Sequence, residues 1–418
     1  LLWAIGGLAL LNRRAARRTR TEPRNPAGCQ TARYPGEMSL EHSSRVRPSI
    51  NCFSRRCKQY SHVTLLPRRT DESMVARIDR VANHAANTDG GLPMTSREIV
   101  RASVLFQDPP RIAHSLPSPW QTDFAGAGAG RDPDFVPSRP GADEWGCVWE
   151  KAGDEDASMG QVTVHPLADY AQLHDYPFPD YTDPRRYENA RRVVEQNTAE
   201  KFVLSSIPLS LNHRTDYLRG FENLMMDPYL YPKEFGMLLD RQTDIAIDAV
   251  QRLAECGADA IMACDDWGLQ DRTMMSPELF QRFFKPRYAR VYTCARELGM
   301  LTFLHSCGHI VDILDDFIDA GLQVIQMDQQ ENMGIDLLAE RFGGRIAFWC
   351  PVDIQATMVN GTLDDIRAYA RRLVETLGCF GGGFISQWYA SPKAVQHSQE
   401  RINAMAEAFT EAESLCAG

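Results

Sequence analysis

The chain has 418 residues, of which 44% are hydrophobic and 24% charged, a mixture typical of a globular protein and not of a fibrous or wholly disordered one. Its formal net charge of -10 argues against nucleic-acid binding as its main function. The charge is unevenly divided, since residues 1–70 carry 14 Lys and Arg against 3 Asp and Glu. A basic N-terminal segment therefore precedes an acidic body.

The N-terminal segment, residues 1–93, shows no sustained hydrophobic period. It begins with an apolar run over residues 1–11, which is too short to cross a bilayer, because a spanning helix takes about 20 residues. Its arginines follow this run, whereas in a signal peptide the positive charges precede it. We therefore expect a disordered or non-native leader, with translation starting at Met74 or Met94. A truncated membrane anchor is the alternative.

The 11 cysteines are odd in number and are scattered without the spacing of a disulfide framework. Cys256, Cys264 and Cys294 lie inside apolar patterns, where a small buried side chain is expected. This usage favours a reducing compartment. We predict a cytoplasmic protein that binds neither membranes nor nucleic acid.

Residues 94–418 are predicted to form one domain. A capped helix begins at Thr95, and an irregular stretch rich in Gly and Pro, residues 125–140, leads to a turn and a short strand at 143–149. We interpret this part as an elaboration over one end of a larger unit. Short apolar runs typical of buried strands follow at residues 202–209, 258–263, 301–304, 323–327, 346–349 and 383–385. Helical patterns alternate with these runs at residues 232–253, 277–298, 335–342, 363–377 and 399–412.

Strands and helices that alternate in this way predict right-handed βαβ units around a parallel sheet, and thus the α/β fold class. With at least six such units, an eight-stranded (β/α)8 TIM barrel is favoured over an open, doubly wound sheet. No glycine-rich phosphate loop follows any of the predicted strands, which also argues against the open sheet.

Polar and aromatic side chains follow five of these strands at the carboxyl end, where barrel enzymes carry their chemistry. His305 and Cys307 are two residues apart, so their side chains point to the same face, and both are ligand types that zinc prefers. The whole set comprises Asp265, Asp266, Trp267, His305, Cys307, Asp328, Gln329, Cys350, Trp388 and Tyr389.

Several motifs of the acidic body carry a family resemblance. They are Asp265-Asp266-Trp267-Gly268, Ser276-Pro277-Glu278-Leu279-Phe280, Phe284-Lys285-Pro286-Arg287-Tyr288, His305-Ser306-Cys307-Gly308 and Gly382-Gly383-Phe384-Ile385. Together they resemble the uroporphyrinogen decarboxylase superfamily over roughly residues 94–412. The resemblance implies a (β/α)8 barrel with one of two chemistries. One is cofactor-free decarboxylation of uroporphyrinogen, and the other is zinc-dependent methyl transfer between a corrinoid and a thiol.

Two sequence features bear on the choice between these chemistries. The decarboxylases share an arginine-rich N-terminal motif that binds the carboxylates of the substrate, and the region after Arg111 lacks it. The methylcobalamin:coenzyme M methyltransferases of the superfamily use a His-x-Cys motif for zinc, and His305 and Cys307 match it. The resemblance therefore favours the methyltransferases.

The third zinc ligand does not match. In those methyltransferases a Cys follows the glycines of the final strand, whereas this chain has Gln387-Trp388-Tyr389-Ala390 there. Cys350, at the end of another strand, is the predicted replacement. Weaker candidates for the position are Asp265, Asp328 and His397.

The resemblance thus implies a methyltransferase-like enzyme in which His305, Cys307 and Cys350 hold Zn2+. Asp265 or Asp266 would orient the substrate or move a proton. The methyl donor would be a corrinoid carried by a partner protein, and the small-molecule substrate would contact Trp267, Asp328, Gln329, Trp388 and Tyr389. Two alternatives stay open, namely a cofactor-free decarboxylase of a porphyrinogen or a smaller carboxylated substrate, and a non-catalytic barrel that binds a tetrapyrrole or corrinoid.

Each of these groups also has a purely structural interpretation. A buried, hydrogen-bonded histidine and an inert thiol would explain His305 and Cys307, and Cys350 is equally well explained as buried filler. Asp265 and Asp266 would cap the next loop or pair with Arg272. Aromatic packing alone would explain Trp267, Trp388 and Tyr389.

Overall fold

The computed structural model describes residues 93–151 and 160–416. Apart from Pro93, the predicted basic leader lies outside the described residues, so its nature stays a prediction. Within the described ranges, no helix is both long and apolar enough to cross a lipid bilayer.

Strands and helices alternate along most of the described chain. The strands are β1 (Ala113–Ser115), β2 (Phe124–Gly128), β3 (Val148–Glu150), β4 (Gln161–Val164), β5 (Phe202–Ser206), β6 (Ala260–Cys264), β7 (Leu301–His305), β8 (Val324–Gln326), β9 (Ala347–Cys350) and β10 (Phe384–Gln387). The α-helices are α1 (Ser96–Val104), α2 (Glu188–Glu195), α3 (Leu211–Arg219), α4 (Phe221–Leu230), α5 (Pro232–Cys256), α6 (Pro277–Leu279), α7 (Lys285–Glu297), α8 (Val311–Asp319), α9 (Ile335–Phe342), α10 (Thr357–Asn360), α11 (Leu363–Leu377) and α12 (Gln399–Glu411). A π-helical turn, Phe280–Phe284, joins α6 to α7.

Eight strands form one sheet in the order β1-β10-β9-β8-β7-β6-β5-β2, and every ladder in it is parallel. The two end strands approach each other through a bridge between Ser115 and Thr122 and a 2.8 Å hydrogen bond from Asp123 N to His114 O. The sheet is therefore almost closed, and the predicted (β/α)8 barrel is confirmed. All of its strands end at the same edge, which is where barrel enzymes place their sites.

The barrel wall separates two clusters of buried apolar side chains. The inner cluster includes Met262, Phe303 and Trp349, and α1 contributes Val100 to it. Neighbouring residues on the same strands, such as Leu304, belong to the outer cluster between the wall and the helices. Strand side chains alternate between the faces in this way, so one position along a strand decides whether a residue faces the barrel interior.

Capping residues predicted three helix starts correctly. Thr95 caps α1, since its hydroxyl accepts from Glu98 N while the Glu98 carboxylate accepts from Thr95 N. Thr362 and Asp365 form the same reciprocal pair at the start of α11. Ser276 caps α6 before the proline at its first position. These three predicted starts are confirmed.

The stretch predicted as irregular, residues 125–140, begins with a barrel strand, so that prediction was wrong at its start. β2 has the sequence Phe-Ala-Gly-Ala-Gly and lacks the branched side chains that indicate a strand. Its small residues have a steric reason, because a Cβ on Gly128 would lie 2.6 Å from Ser206 Oγ on the paired strand β5. The predicted short strand near residue 149 corresponds to β3, which pairs with β4 outside the barrel.

Two cysteines form a disulfide, which the spacing of the cysteines in the sequence did not predict. Cys379 and Cys416 form a disulfide with their Cα atoms 4.9 Å apart. The six other cysteines in the described ranges carry free thiols. The cytoplasmic location stays a prediction.

His114, on the outer side of β1, is expected to make the stability of the barrel depend on pH. Its ring is buried, with Nδ1 2.7 Å from the Ser386 hydroxyl and Nε2 2.9 Å from a Glu413 carboxylate oxygen. Burial lowers the pKa of His114 below its ordinary value of 6.5. The pKa of His114 is therefore lower in the folded chain than in the unfolded chain. The free energy of unfolding that depends on a neutral His114 ring is complete above pH 6.5 and declines as the pH falls below that value.

Urea unfolding between about pH 7.5 and about pH 5.5 measures this effect. We expect the midpoint of the wild type to fall on acidification more than that of the His114→Gln variant. His174 is exposed, so His174→Gln serves as the matched control and should keep the wild-type slope. Equal slopes in the wild type and in His114→Gln would contradict the assignment.

Candidate functional site

Three buried side chains, Asp266, His305 and Cys307, form a group at the carboxyl edge of the barrel that could hold a metal ion. Their ligand atoms all lie within 4.8 Å of one another. His305 Nε2 is 3.3 Å from Cys307 Sγ and 3.3 Å from Asp266 Oδ1. A carboxylate, an imidazole and a thiol are all zinc ligands, and three protein ligands with one open position is the arrangement of catalytic zinc sites. The donor set therefore fits zinc.

The positions of these ligands follow from strand alternation. His305 ends β7 and pairs in register with Cys264, which ends β6. Asp266 lies two residues beyond Cys264, and Cys307 lies two residues beyond His305, so both side chains return toward the barrel interior. Cys307 N donates to Asp266 Oδ1 at 2.8 Å, which ties the two loops together at the ligands themselves.

The loops after β6 and β7 also meet at a pair of glycines. Gly268 N donates to Cys307 O at 3.1 Å, and Trp267 N donates to Ser306 Oγ at 3.0 Å. A Cβ on Gly268 would lie 2.3 Å from Gly308 C, and one on Gly308, where φ is +77°, would lie 2.3 Å from Gly268 O. Backbone contacts this close leave no room for a side chain at either position.

Gln326, the last residue of β8, orients the His305 ring. His305 Nδ1 donates to Gln326 Oε1, and the Gln326 amide in turn donates to Asp328 Oδ1 at 2.8 Å and to Gln387 Oε1 at 2.7 Å. With the proton on Nδ1 used in this way, Nε2 faces Asp266 and Cys307. Metal-binding histidines are usually held by such a partner on the other ring nitrogen.

The three ligands perturb one another electrostatically. Burial alone would raise the pKa of Asp266, but the hydrogen bond and charge of His305 lower it to about 2. Burial acts to lower the pKa of His305, yet Cys307 and Asp266 raise it well above 6.5. Burial and the Asp266 charge raise the pKa of the Cys307 thiol to about 12. A metal ion that binds here must displace the protons on His305 and Cys307.

Asp265 has a different role from its neighbour Asp266. Its carboxylate accepts hydrogen bonds from the backbone N–H groups of Asn212 and His213, both at 2.9 Å, and from the Tyr288 hydroxyl at 2.5 Å. It therefore caps the N-terminus of α3 from outside that helix and positions His213. Neither aspartate pairs with Arg272, whose partner is Asp271.

A cavity of about 650 Å³ opens at the same edge of the barrel, and Cys264 and His213, but not the three residues of the metal-competent group, line it. It lies between the ends of β2, β5 and β6 and the elaboration that precedes and includes β3. His213 lines it, and the Nε2 atom of that residue is 3.6 Å from Asp266 Oδ2. His213 thus connects the cavity with the three ligands.

Two of the predicted site residues lie elsewhere. Cys350, predicted as the third metal ligand, follows the inward-facing Trp349 and so points to the outer apolar cluster, where it is fully buried. Asp266 lies next to His305 and Cys307 instead. Trp267, predicted to contact substrate, is also fully buried and packs against Phe280 and Phe284, with ring centroids 4.9 Å and 4.6 Å away. It supports the wall from outside the cavity.

The remaining predicted residues surround the three ligands or lie apart from them. Asp328 is buried and accepts from Gln326, and Gln329 Oε1 accepts from Gly308 N at 2.8 Å, which holds the His-x-Cys loop. Tyr389 is buried near the group, and burial together with the charge of Asp328 raises its pKa. The half-buried Trp388 packs against the outer cluster, and His397 bonds to Ile354 O, outside the group.

Sequence reasoning missed His213 and Gln326. His213 follows β5, so the rule that polar residues after barrel strands carry the chemistry would have found it. Gln326 shares the register of His305 on the neighbouring strand, and strand alternation would have indicated it.

Comparison with known proteins gives three findings. Residues 212–411 match the family model described as uroporphyrinogen decarboxylase (URO-D). The chain is 28% identical over 142 residues to the methylcobamide:CoM methyltransferase MtaA of Methanosarcina barkeri, which is 34% of this chain and 40% of that protein. It is 30% identical over 112 residues to a uroporphyrinogen decarboxylase of Syntrophotalea carbinolica, which is 26% of this chain and 31% of that protein. The matched segments thus span less than half the length of these two relatives.

The fold also has a solved counterpart. A methyltransferase from Methanosarcina mazei superposes with a TM-score of 0.52 at 19% sequence identity, covering 76% of this chain and 84% of that one. At this identity the likeness concerns the barrel fold.

Proposed function

This chain belongs to the uroporphyrinogen decarboxylase superfamily, and we propose that it is a zinc-dependent methyltransferase that moves a methyl group between a corrinoid and a thiol. The observation that carries the proposal is the grouping of Asp266, His305 and Cys307 at the carboxyl edge of the barrel. A relative named as a methylcobamide:CoM methyltransferase supports a corrinoid donor and a thiol acceptor. A partner protein would carry the corrinoid to the mouth of the barrel.

Asp266, His305 and Cys307 would hold the zinc ion, with Asp266 in the place that the sequence alone suggested for Cys350. Zinc bound there would lower the pKa of a substrate thiol, so that the nucleophilic thiolate predominates near neutral pH. The three residues are at most 8% exposed, so the site is shielded from water and electrostatic interactions there are strong.

The remaining residues position these groups and handle protons. Gln326 keeps His305 Nε2 directed at the site through its bond to Nδ1. Asp265 holds the start of α3 and with it His213. Because His213 lines the cavity next to Asp266, its ring is placed to accept the proton that an entering thiol must lose.

Metal analysis of the purified protein tests this proposal. We expect about one equivalent of zinc in the wild type and almost none in His305→Ala and Cys307→Ser, since each variant removes one of three protein ligands. The matched controls are His174→Ala, an exposed histidine, and Cys294→Ser, a thiol remote from the site, and both should keep the metal. A metal-free wild type, or full occupancy in both site variants, would refute the proposal.

A decarboxylase is the second candidate, because one relative is named a uroporphyrinogen decarboxylase. Release of carbon dioxide from a porphyrinogen by the metal-free wild type would favour it. Corrinoid binding without turnover of either kind would instead favour a non-catalytic barrel.

A further inference from the structure

The cavity at the carboxyl edge of the barrel has walls and charges that indicate what it binds. Its volume of about 650 Å³ falls within the range of pockets for small organic ligands. The wall is largely aromatic and apolar, with contributions from Trp145, Trp149, Tyr217 and Met262. Flat, apolar walls of this kind favour a ligand with an aromatic ring.

Arg214 supplies a positive charge to this wall. Its guanidinium carbon lies 4.5 Å from the centroid of the Trp145 ring and 5.6 Å from that of Tyr217. Within the described part of the chain, the buried Nη1 atom of Arg214 has no hydrogen-bond partner. A buried guanidinium nitrogen that lacks a hydrogen bond is costly, so an acceptor entering through the cavity would bind to it favourably.

The neighbouring groups satisfy this donor only in part, through an ion pair with Asp143 and a contact with the Cys147 thiol. Asp143 Oδ2 is 3.6 Å away from Nη1, beyond hydrogen-bond distance, and accepts instead from Trp149 Nε1 at 2.9 Å. The other acid of the wall, Glu144, accepts from Arg186 at 2.8 Å. Burial and the charge of Asp143 raise the pKa of Cys147 to about 12, so this nearby thiol is neutral and only a weak acceptor.

We propose that the cavity binds a small aromatic carboxylate, with the carboxylate on the guanidinium of Arg214 and the ring against the aromatic wall. A guanidinium offers a planar fork of donors that matches a carboxylate, and stacking on Trp145 holds that plane in place. The inference goes beyond the proposed function by naming a ligand class for the cavity, and the binding itself does not depend on the zinc chemistry.

Isothermal titration calorimetry on the full, zinc-loaded chain tests the proposal with three probes. They are para-methoxybenzoate, its uncharged methyl ester and the non-aromatic cyclohexanecarboxylate. We expect the aromatic acid to bind at least about 10-fold more tightly than either of the others, because only the acid offers both the charge and the ring. Arg214→Gln should bind the acid roughly 10- to 100-fold more weakly, and Arg214→Lys should recover part of the loss.

Arg272→Gln, which changes an exposed arginine outside the cavity, is the matched control and should bind as the wild type does. Equal affinity for acid and ester, undiminished binding by a folded Arg214→Gln, or no binding of the acid would each overturn the proposal. The comparison of acid and ester needs only the wild type, so it decides the matter even if the variant fails to fold. If the wild type lacks zinc but still selects the acid, the proposed function fails alone; if it holds zinc without that selectivity, this inference fails alone.

Discussion

The Asp266→Asn variant is expected to lose its zinc and its methyl-transfer activity, whereas Cys350→Ser keeps both. Asp266 places a carboxylate oxygen 3.3 Å from His305 Nε2, inside the metal-competent group. Cys350 lies on the outer face of the barrel wall. Since changes to residues that only support a metal ligand weaken metal binding by about 10- to 100-fold, loss of a ligand should weaken it by at least about 100-fold.

Zinc affinity in competition with a chelator, followed by methyl-transfer rates, measures both effects. Asp271→Asn is the matched control, because it changes an exposed aspartate in the same loop and should leave zinc affinity unchanged. The opposite pattern, with zinc retained in Asp266→Asn and lost in Cys350→Ser, would show that the loop rearranges to bring Cys350 to the metal. The two variants therefore decide the identity of the third ligand.

The Asp227→Ala variant is expected to lose about 3–5 kcal/mol of unfolding free energy, because it leaves the charge of Arg219 buried and unpaired. Arg219 and Asp227 are 3% and 1% exposed and are joined by hydrogen bonds of 2.8 and 2.9 Å. The Tyr170 hydroxyl donates to the same carboxylate at 2.7 Å. The pair joins the end of α3 to α4 and to the segment before α2.

Urea unfolding of the variants measures this loss. Asp271→Ala breaks an ion pair with Arg272 that is about two thirds exposed on both sides, so it should cost no more than about 1 kcal/mol. The double variant Arg219→Met/Asp227→Leu should be more stable than Asp227→Ala, since it removes both charges together. A loss in Asp227→Ala as small as that of the control would contradict the assigned role.

The barrel could be predicted from the sequence because most of its strands are short, fully apolar runs that end in polar residues. β2 escaped prediction, since contact with Ser206 requires the small residues that hide the strand pattern. The outward position of Cys350 was not predictable for another reason. One position along a strand reverses the face of a side chain, and the sequence does not show whether Cys350 or Trp349 faces inward.

The aromatic cavity lay further beyond sequence reasoning. It forms where the segment around Trp145 meets α3, which carries Arg214, and these parts are far apart in the chain. Only the closed barrel brings them together. Neither the spacing of motifs nor the hydrophobic period predicts a contact between segments that are distant in the sequence.

The contact between Gly268 and Gly308 makes the metal site preorganised. Backbone contact at the two glycines, with hydrogen bonds from Cys307 N to Asp266 and from Trp267 N to Ser306, fixes the distance between Asp266 and the His-x-Cys loop when the barrel folds. The two loops lose their conformational entropy when the chain folds. Binding of a metal ion therefore carries little further entropic cost from ordering them. The cost of ordering these two loops thus belongs to the folding of the barrel, and an ion that binds between them would in turn stabilise the folded chain.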